Sequence, residues 1–187
     1  MVFDELYTQC MDCNKCALSQ SRKNVVFGVG DRTADVMFIG EGPGEQEDLS
    51  GEPFVGRAGK LLDDMMEMIY LNRENTFIAN IVKCRPPQNR DPLGPEQEAC
   101  YPWLERQIEL ITPKIIVCLG RIAAMRMIRD DFKITKEHGE WFEKDGVKYM
   151  ALFHPAALLR DPRRRPETFE DLKKLQAEIK ATCNTYD

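Results

Sequence analysis

The chain has 187 residues, which sets one domain as the expectation and is long enough to bury a sizeable core. Its 43% hydrophobic and 30% charged residues are the balance of a soluble globular protein, and no run of about 18 apolar residues exists to cross a membrane as a helix. The net charge of −5 argues against an overall basic nucleic-acid-binding surface, although the distribution of charge matters more than its sum.

The first sixteen residues hold acids and cysteines rather than a basic patch followed by an apolar stretch. No secretory signal is expected, and the default compartment is the cytoplasm. Residues 35–40 form the first short apolar run, too short for a helix and rich in Val, Met, Phe and Ile, so a buried strand is expected. Residues 59–70 place Leu61, Leu62, Met65, Met66 and Ile69 at helical spacing, a face that belongs in a core. Residues 76–81 read as a second strand. Residues 96–111 read as a helix behind Pro95, which suits a first helical turn. A third strand over 114–119, a helix over 121–129 and a fourth strand over 149–153 follow. The chain ends in an amphipathic helix over 166–182, with Phe169, Leu172, Leu175 and Ile179 on one face. Strands alternating with helices imply a parallel sheet covered on both faces. Ligands in such folds sit beyond the carboxyl ends of the strands. The residues there are Gly40 to Glu45, Asn80, Gly120, and the pair His154-Pro155.

Seven cysteines in an intracellular chain point to metal binding or plain burial, because disulfides are disfavoured there. Cys10, Cys13 and Cys16 make a C-x-x-C-x-x-C run, and Cys84 and Cys100 follow further on with 15 residues between them. Four soft ligands suit zinc or an iron–sulfur cluster. Cys118 falls inside an apolar strand and reads as core, and Cys183 has no evident role.

The segment Gly40-Glu-Gly-Pro-Gly-Glu45 follows a strand but is neither a dinucleotide fingerprint nor a phosphate-binding loop. Its acids, with Glu47 and Asp48, would repel a nucleotide's phosphates. It is a structural turn, or the wall of a pocket that needs carboxylates. Phe54 lies in a loop before a helix, as a staple on the core or as an exposed stacking platform. Taken alone, Asn80 reads as a strand-end turn residue and His154 as a structural histidine. From 154 to 165 four arginines (Arg160, Arg163, Arg164, Arg165) face one acid, Asp161, a local +3 that is a solvated run or a phosphate-binding patch.

Together these segments resemble the family-4 uracil-DNA glycosylases, the iron–sulfur branch of their superfamily. The resemblance runs through nearly the whole chain. It is carried by Cys13-Asn-Lys-Cys16-Ala-Leu18, Gly40-Glu-Gly-Pro-Gly-Glu-Gln-Glu-Asp48, Pro53-Phe-Val-Gly-Arg-Ala-Gly59, Asn80-Ile-Val-Lys-Cys-Arg-Pro-Pro87 with Asn89-Arg-Asp-Pro92, and His154-Pro-Ala-Ala-Leu-Leu-Arg160. It implies one domain over 1–187 with a cysteine-bearing N-terminal arm. The implied fold is a three-layer α/β/α sandwich around a four-stranded parallel sheet. It also implies a [4Fe–4S] cluster on Cys13, Cys16, Cys84 and Cys100, with Cys10 an extra cysteine nearby.

The implied activity is removal of uracil from single- or double-stranded DNA by a monomer. No feature supports a sliding-clamp partner. A stacked base must be flipped into a pocket before its sugar bond can be reached. By the resemblance, Asn80 reads uracil's N3–H and O4, Phe54 stacks on the ring, and Gly42 and Glu47 line the base site, Glu47 barring a thymine methyl. His154 aims a donor at O2. Glu41 is the candidate for positioning water, because Gly42 stands where the superfamily's best-known branch has its catalytic Asp. Arg160, Arg163, Arg164 and Arg165 would grip phosphates, and Leu158 or Leu159 would wedge into the vacated stack. No lysine is placed for a Schiff base, so a monofunctional enzyme is expected.

Overall fold

The structure, a computed structural model, describes residues 2–187. The N-terminal arm contributes α1 (Val2–Met11) and α2 (Leu18–Ser21). The body follows as β1 (Val29–Gly30), β2 (Val36–Gly40), α3 (Glu45–Ser50), α4 (Arg57–Met68), β3 (Phe77–Asn80), α5 (Gly94–Ile111), β4 (Ile115–Leu119) and α6 (Arg121–Met127). It ends with α7 (Ile134–Glu137), β5 (Phe142–Lys144), β6 (Val147–Leu152), α8 (Pro155–Arg160) and α9 (Arg165–Thr182). No helix among the described residues is long and apolar enough to cross a membrane.

The sheet order is β1-β3-β2-β4-β6-β5, and its four inner strands are parallel. Every residue of β2, β3 and β4 is buried, the continuous apolar pattern of strands covered on both faces. Side chains alternate between two cores. Met37, Ile39, Ile116, Cys118 and Ala151 pack with Leu6, Phe27 and Leu104 on one side. Phe38, Val117, Met150 and Leu152 pack with Leu62, Met66, Leu175 and Ile179 on the other. The α/β/α layering is thus the expected one, and Cys118 is core as read.

Two features differ from the sequence reading. The sheet has antiparallel edge strands, β1 and β5, beyond the four expected. β1 is only two residues long and carries no apolar run. β5 is largely exposed, and its cue was the Asp145-Gly146 turn, where both residues have positive φ, 52° and 79°. Secondly, Phe169 is exposed rather than part of the buried stripe of α9. The inward positions of its first two turns are taken by Thr168 and Asp171. Asp171 lies 2.6 Å from Nδ1 of His138, which makes His138 a structural histidine.

Candidate active site

The parallel register brings the strand ends level. Gly40, the last residue of β2, pairs with Asn80, the last of β3. A Cβ on Gly40 would stand 2.5 Å from Asn80 Oδ1 and 2.5 Å from Phe54 Cζ, so only glycine lets the amide and the ring close on each other. Asn80 is 2% exposed, and its Oδ1 is buried with no hydrogen-bond partner. A buried carbonyl oxygen left open is uncommon, and it marks a place for an external donor.

Phe54 is buried and sits in the left-handed region at φ 53°. The loop that strains it is clamped from three sides. Arg73 donates to the carbonyls of Pro53 and Phe54. Gly59 has no Cβ, which would fall 1.8 Å from the Phe54 carbonyl oxygen. Glu47 accepts from the N–H groups of Val55 and Gly56 at 3.1 Å, while its other oxygen accepts from Gly44 at 2.9 Å. Glu47 therefore lines the cleft as a strut between the glycine segment and the Phe54 loop, its carboxylate taken up by backbone. Phe54 is thus buried rather than exposed, with its ring against Gly40 and beside His154.

A cleft of about 520 Å³ opens beside these residues, lined by Glu41, Gly42, Glu47, Asp91, His154 and Arg160 among others. Asn80 and Phe54 are not among the residues that line it. A Cβ on Gly42 would come within 2.7 Å of Val82, which seats the segment directly on the chain leaving β3. Of the segment's acids only Glu41 and Glu47 line the cleft. Glu45 is exposed, and buried Asp48 accepts from the N–H groups of Lys23 and Asn24.

Glu41 Oε1 is also buried and unpartnered. Burial, then a hydrogen bond and repulsion from Asp91, push the Glu41 carboxyl up to about 7, against the pull of Arg121 and Arg160. Asp91 shifts below the usual carboxylate range through its hydrogen bond with Glu41 and through Arg121, whose guanidinium is 2.9 Å away. Asp91 and Arg121 received no role in the sequence reading, although Asp91 lies in the quoted segment Asn89-Arg-Asp-Pro92.

His154 caps α8, its Nδ1 accepting from the N–H of Ala156 at 3.0 Å. Its ring is 5.7 Å from that of Phe54, tilted by 32°. Gly120, at φ 91°, lets the end of β4 approach it: a Cβ there would lie 3.0 Å from His154 Cβ. Burial, reinforced by the charge of Arg160, pushes the imidazole down to about 4, so the ring is neutral at pH 7.

Arg160 lines the cleft, whereas Arg163 and Arg164 do not. Arg163 pairs with Asp161 at 2.8 Å, and Arg164 pairs with Glu167 at 3.4 Å while lying over the Phe153 ring. Leu158 is 1% exposed and packed in the core, which removes it as a wedge; Leu159 is half-buried.

A second, small cavity is lined by Cys10, Cys13, Cys16, Cys84 and Cys100. All seven cysteines are free. Among the described residues no three His, Cys, Asp or Glu side chains converge closely enough for a single ion. Nitrogen donors point at three of the sulfurs. Trp103 Nε1 donates to Cys13 at 3.3 Å, Arg22 to Cys84 at 3.3 Å, and the Lys83 backbone N–H to Cys100 at 3.2 Å. Hydrogen bonds to sulfur of this kind surround iron–sulfur clusters and tune them. The donor set and its shell fit such a group.

Residues 27–179 match the family model described as Uracil DNA glycosylase superfamily. The chain is 45% identical to the type-4 uracil-DNA glycosylase of Archaeoglobus fulgidus over 180 residues, covering 92% of this chain and 90% of that protein. It is 44% identical to the type-4 enzyme of Sulfurisphaera tokodaii, covering 98% of this chain and 87% of that one. It is 43% identical to that of Saccharolobus solfataricus, with 98% and 89% covered. A strand-end pocket of this build and matches of this extent place the chain in the uracil-DNA glycosylase superfamily, among its type-4 members.

Proposed function

We propose that this protein flips uracil out of DNA and hydrolyses its N-glycosidic bond, leaving an abasic site for base-excision repair. The observation that carries the reading is the convergence at Gly40 of the unpartnered Asn80 amide and the Phe54 ring, with the neutral His154 ring beside them.

An amide offers one acceptor and one donor side by side, the complement of uracil's N3–H and O4. Cytosine presents the opposite pair and is refused. Phe54 supplies the face beneath the base, and Glu47 fixes the loop that carries it. As the bond between N1 and the sugar C1′ breaks, its electron pair leaves with the base and charge develops on O2. Nε2–H of neutral His154 stabilises that oxygen, a donor placed in advance where charge will appear. Water attacks C1′ as the bond opens and gives its proton to the Glu41 carboxylate. No lysine takes part, so the strand stays intact.

Cys13, Cys16, Cys84 and Cys100 would hold a [4Fe–4S] cluster. Bound there, it supplies a cross-link between the N-terminal arm, the segment after β3 and α5. The cysteines line none of the cleft, so no step of the reaction is routed through them.

The test is single-turnover incubation with a uracil-containing oligonucleotide, single- and double-stranded. Free uracil and a strand that breaks only after alkali are expected. Absence of uracil release sinks the reading, and strand breakage without alkali sinks its monofunctional part.

A further inference from the structure

Lys83 is 1% exposed, a lysine at the depth of core leucines. Its backbone is tied on both sides: its N–H donates to Cys100 Sγ, and its carbonyl accepts from Val26 at 2.7 Å. The side chain is thereby directed inward. Nζ donates to Gln107 Oε1 at 2.7 Å, and Gln107, itself 0% exposed, donates to the Phe27 carbonyl at 2.9 Å. The Phe27 ring is 5.9 Å from Nζ. No carboxylate forms an ion pair with it among the described residues. Lys83 lines the same cavity as Cys10, Cys13, Cys16, Cys84 and Cys100.

A buried charge without a counter-charge is strongly destabilising, and one amide oxygen does not neutralise it. The cavity that Lys83 lines together with the five cysteines offers a place for the missing negative charge. An iron–sulfur cluster held by four thiolates carries net negative charge and would supply it. Arg22 adds a second cation on the same cavity through its bond to Cys84. The two cations sit on opposite sequence segments, one in the arm and one after β3.

We propose that Lys83 is the buried counter-cation of the cluster, holding it in the protein and raising its reduction potential. The inference rests on the cluster reading above. Net charge and hydrogen bonding around the sulfurs are the levers that set such potentials. Removing a positive charge makes addition of an electron harder, so the midpoint moves to more negative values.

The experiment compares purified full-length protein with Lys83→Met, Lys83→Gln and Lys83→Arg. Iron and sulfide content and the visible absorption come first, then the midpoint from a spectroscopic redox titration, then the rate of bleaching by a chelator. Wild type is expected to hold four irons. Lys83→Met and Lys83→Gln should show a more negative midpoint and bleach roughly ten-fold faster or more, since breaking a buried charge pair is costly. Lys83→Arg should keep the midpoint near wild type. Where Lys83→Met gives no folded protein, Lys83→Gln removes the charge while keeping a hydrogen-bonding head. A wild-type protein without iron overturns the cluster and this inference together. A cluster present in wild type, with an unchanged midpoint and lifetime in the neutral variants, overturns the role of Lys83 alone. A merely structural lysine would alter thermal stability and leave the midpoint where it was.

Discussion

The backbone N–H of Ala156 donates to Nδ1 of His154 at 3.0 Å. A neutral imidazole that accepts at Nδ1 carries its proton on Nε2, so this bond fixes the tautomer that the reaction needs. The ring stays neutral because its own shift is downward, to about 4. Between that value and its ordinary 6.5 the unfolded chain binds a proton that the folded chain does not. Stability contributed by His154 is therefore complete above about 6.5 and declines as pH falls toward 4. Replacing His154 by Ala removes one donor to the developing oxyanion, and single-turnover excision should fall by about 100- to 1,000-fold. Excision within a few-fold of wild type would show that O2 is served by another group.

The acid limb of the rate profile should belong to Glu41, not His154. A base must be ionised, and the Glu41 carboxyl is held up to about 7. Excision should climb with pH up to about 7 and then level off. The limb should survive in His154→Ala and vanish in Glu41→Gln. Asp91→Asn removes the hydrogen-bonding carboxylate that helps hold Glu41 protonated, so the climb should move to lower pH while burial keeps part of the shift. The sign for stability is the reverse. A raised carboxyl favours the fold below about 4.5 and loses that contribution as pH rises through about 7, so the form needed for work is the one that folding disfavours. A profile flat from pH 5 to 8 in wild type removes Glu41 as the base.

Among the arginines, Arg160 should matter most. It lines the cleft and makes no salt bridge among the described residues, while Arg163 and Arg164 already face Asp161 and Glu167. Arg160→Ala should weaken binding to uracil-containing and ordinary DNA alike, and lower the salt slope by about one. Arg163→Ala should do less, because the charge removed is partly cancelled by Asp161. Equal salt slopes in wild type and Arg160→Ala would remove Arg160 from the phosphate contacts.

The parallel core was legible because β2, β3 and β4 are short, buried runs, apolar except for Asn80 at the end of β3, a pattern set by local hydrophobicity. Topology drew attention to the residues at their ends, but read alone Asn80 and His154 looked structural, and their roles came from the family resemblance. What stayed hidden depends on long-range contact. Nothing local distinguishes Asp91 from any loop acid, because its meaning comes from Glu41, fifty positions earlier, and from Arg121. Glu47 was named for a wall, but its partners are backbone groups at Val55 and Gly56, which no spacing reveals. Lys83 looked like one residue of a motif, and only its burial beside the cysteines sets it apart. Phe169 kept helical spacing with Leu172 yet faces outward, since Asp171 was drawn in by His138.

The last prediction concerns Asn80, whose carbonyl is a buried acceptor left open. Asn80→Asp keeps the shape and the acceptor but replaces the donor with a second acceptor. That oxygen would face uracil O4 in a buried site, and Gly40 and Phe54 leave no room for the side chain to turn away. Leaving a buried polar atom unpaired costs about 1–3 kcal/mol, and more when the group is charged. At about 1.4 kcal/mol per factor of ten, excision should fall roughly ten-fold or more. The carboxylate would be buried, so it would tend to take a proton. A protonated Asp can donate again, and the loss should therefore be smaller at pH 5 than at pH 8 once each rate is divided by that of wild type. Cytosine's amine is a donor that a carboxylate prefers, but its N3 has no proton to give, so trace release from unpaired cytosine is the most that is expected. The measurement is single-turnover release from single-stranded uracil and cytosine oligonucleotides across that pH range, with thermal unfolding as a check on folding. Near wild-type uracil release by a folded Asn80→Asp variant at pH 8 would mean that this amide does not read the base, and the pocket would have to be drawn around other residues.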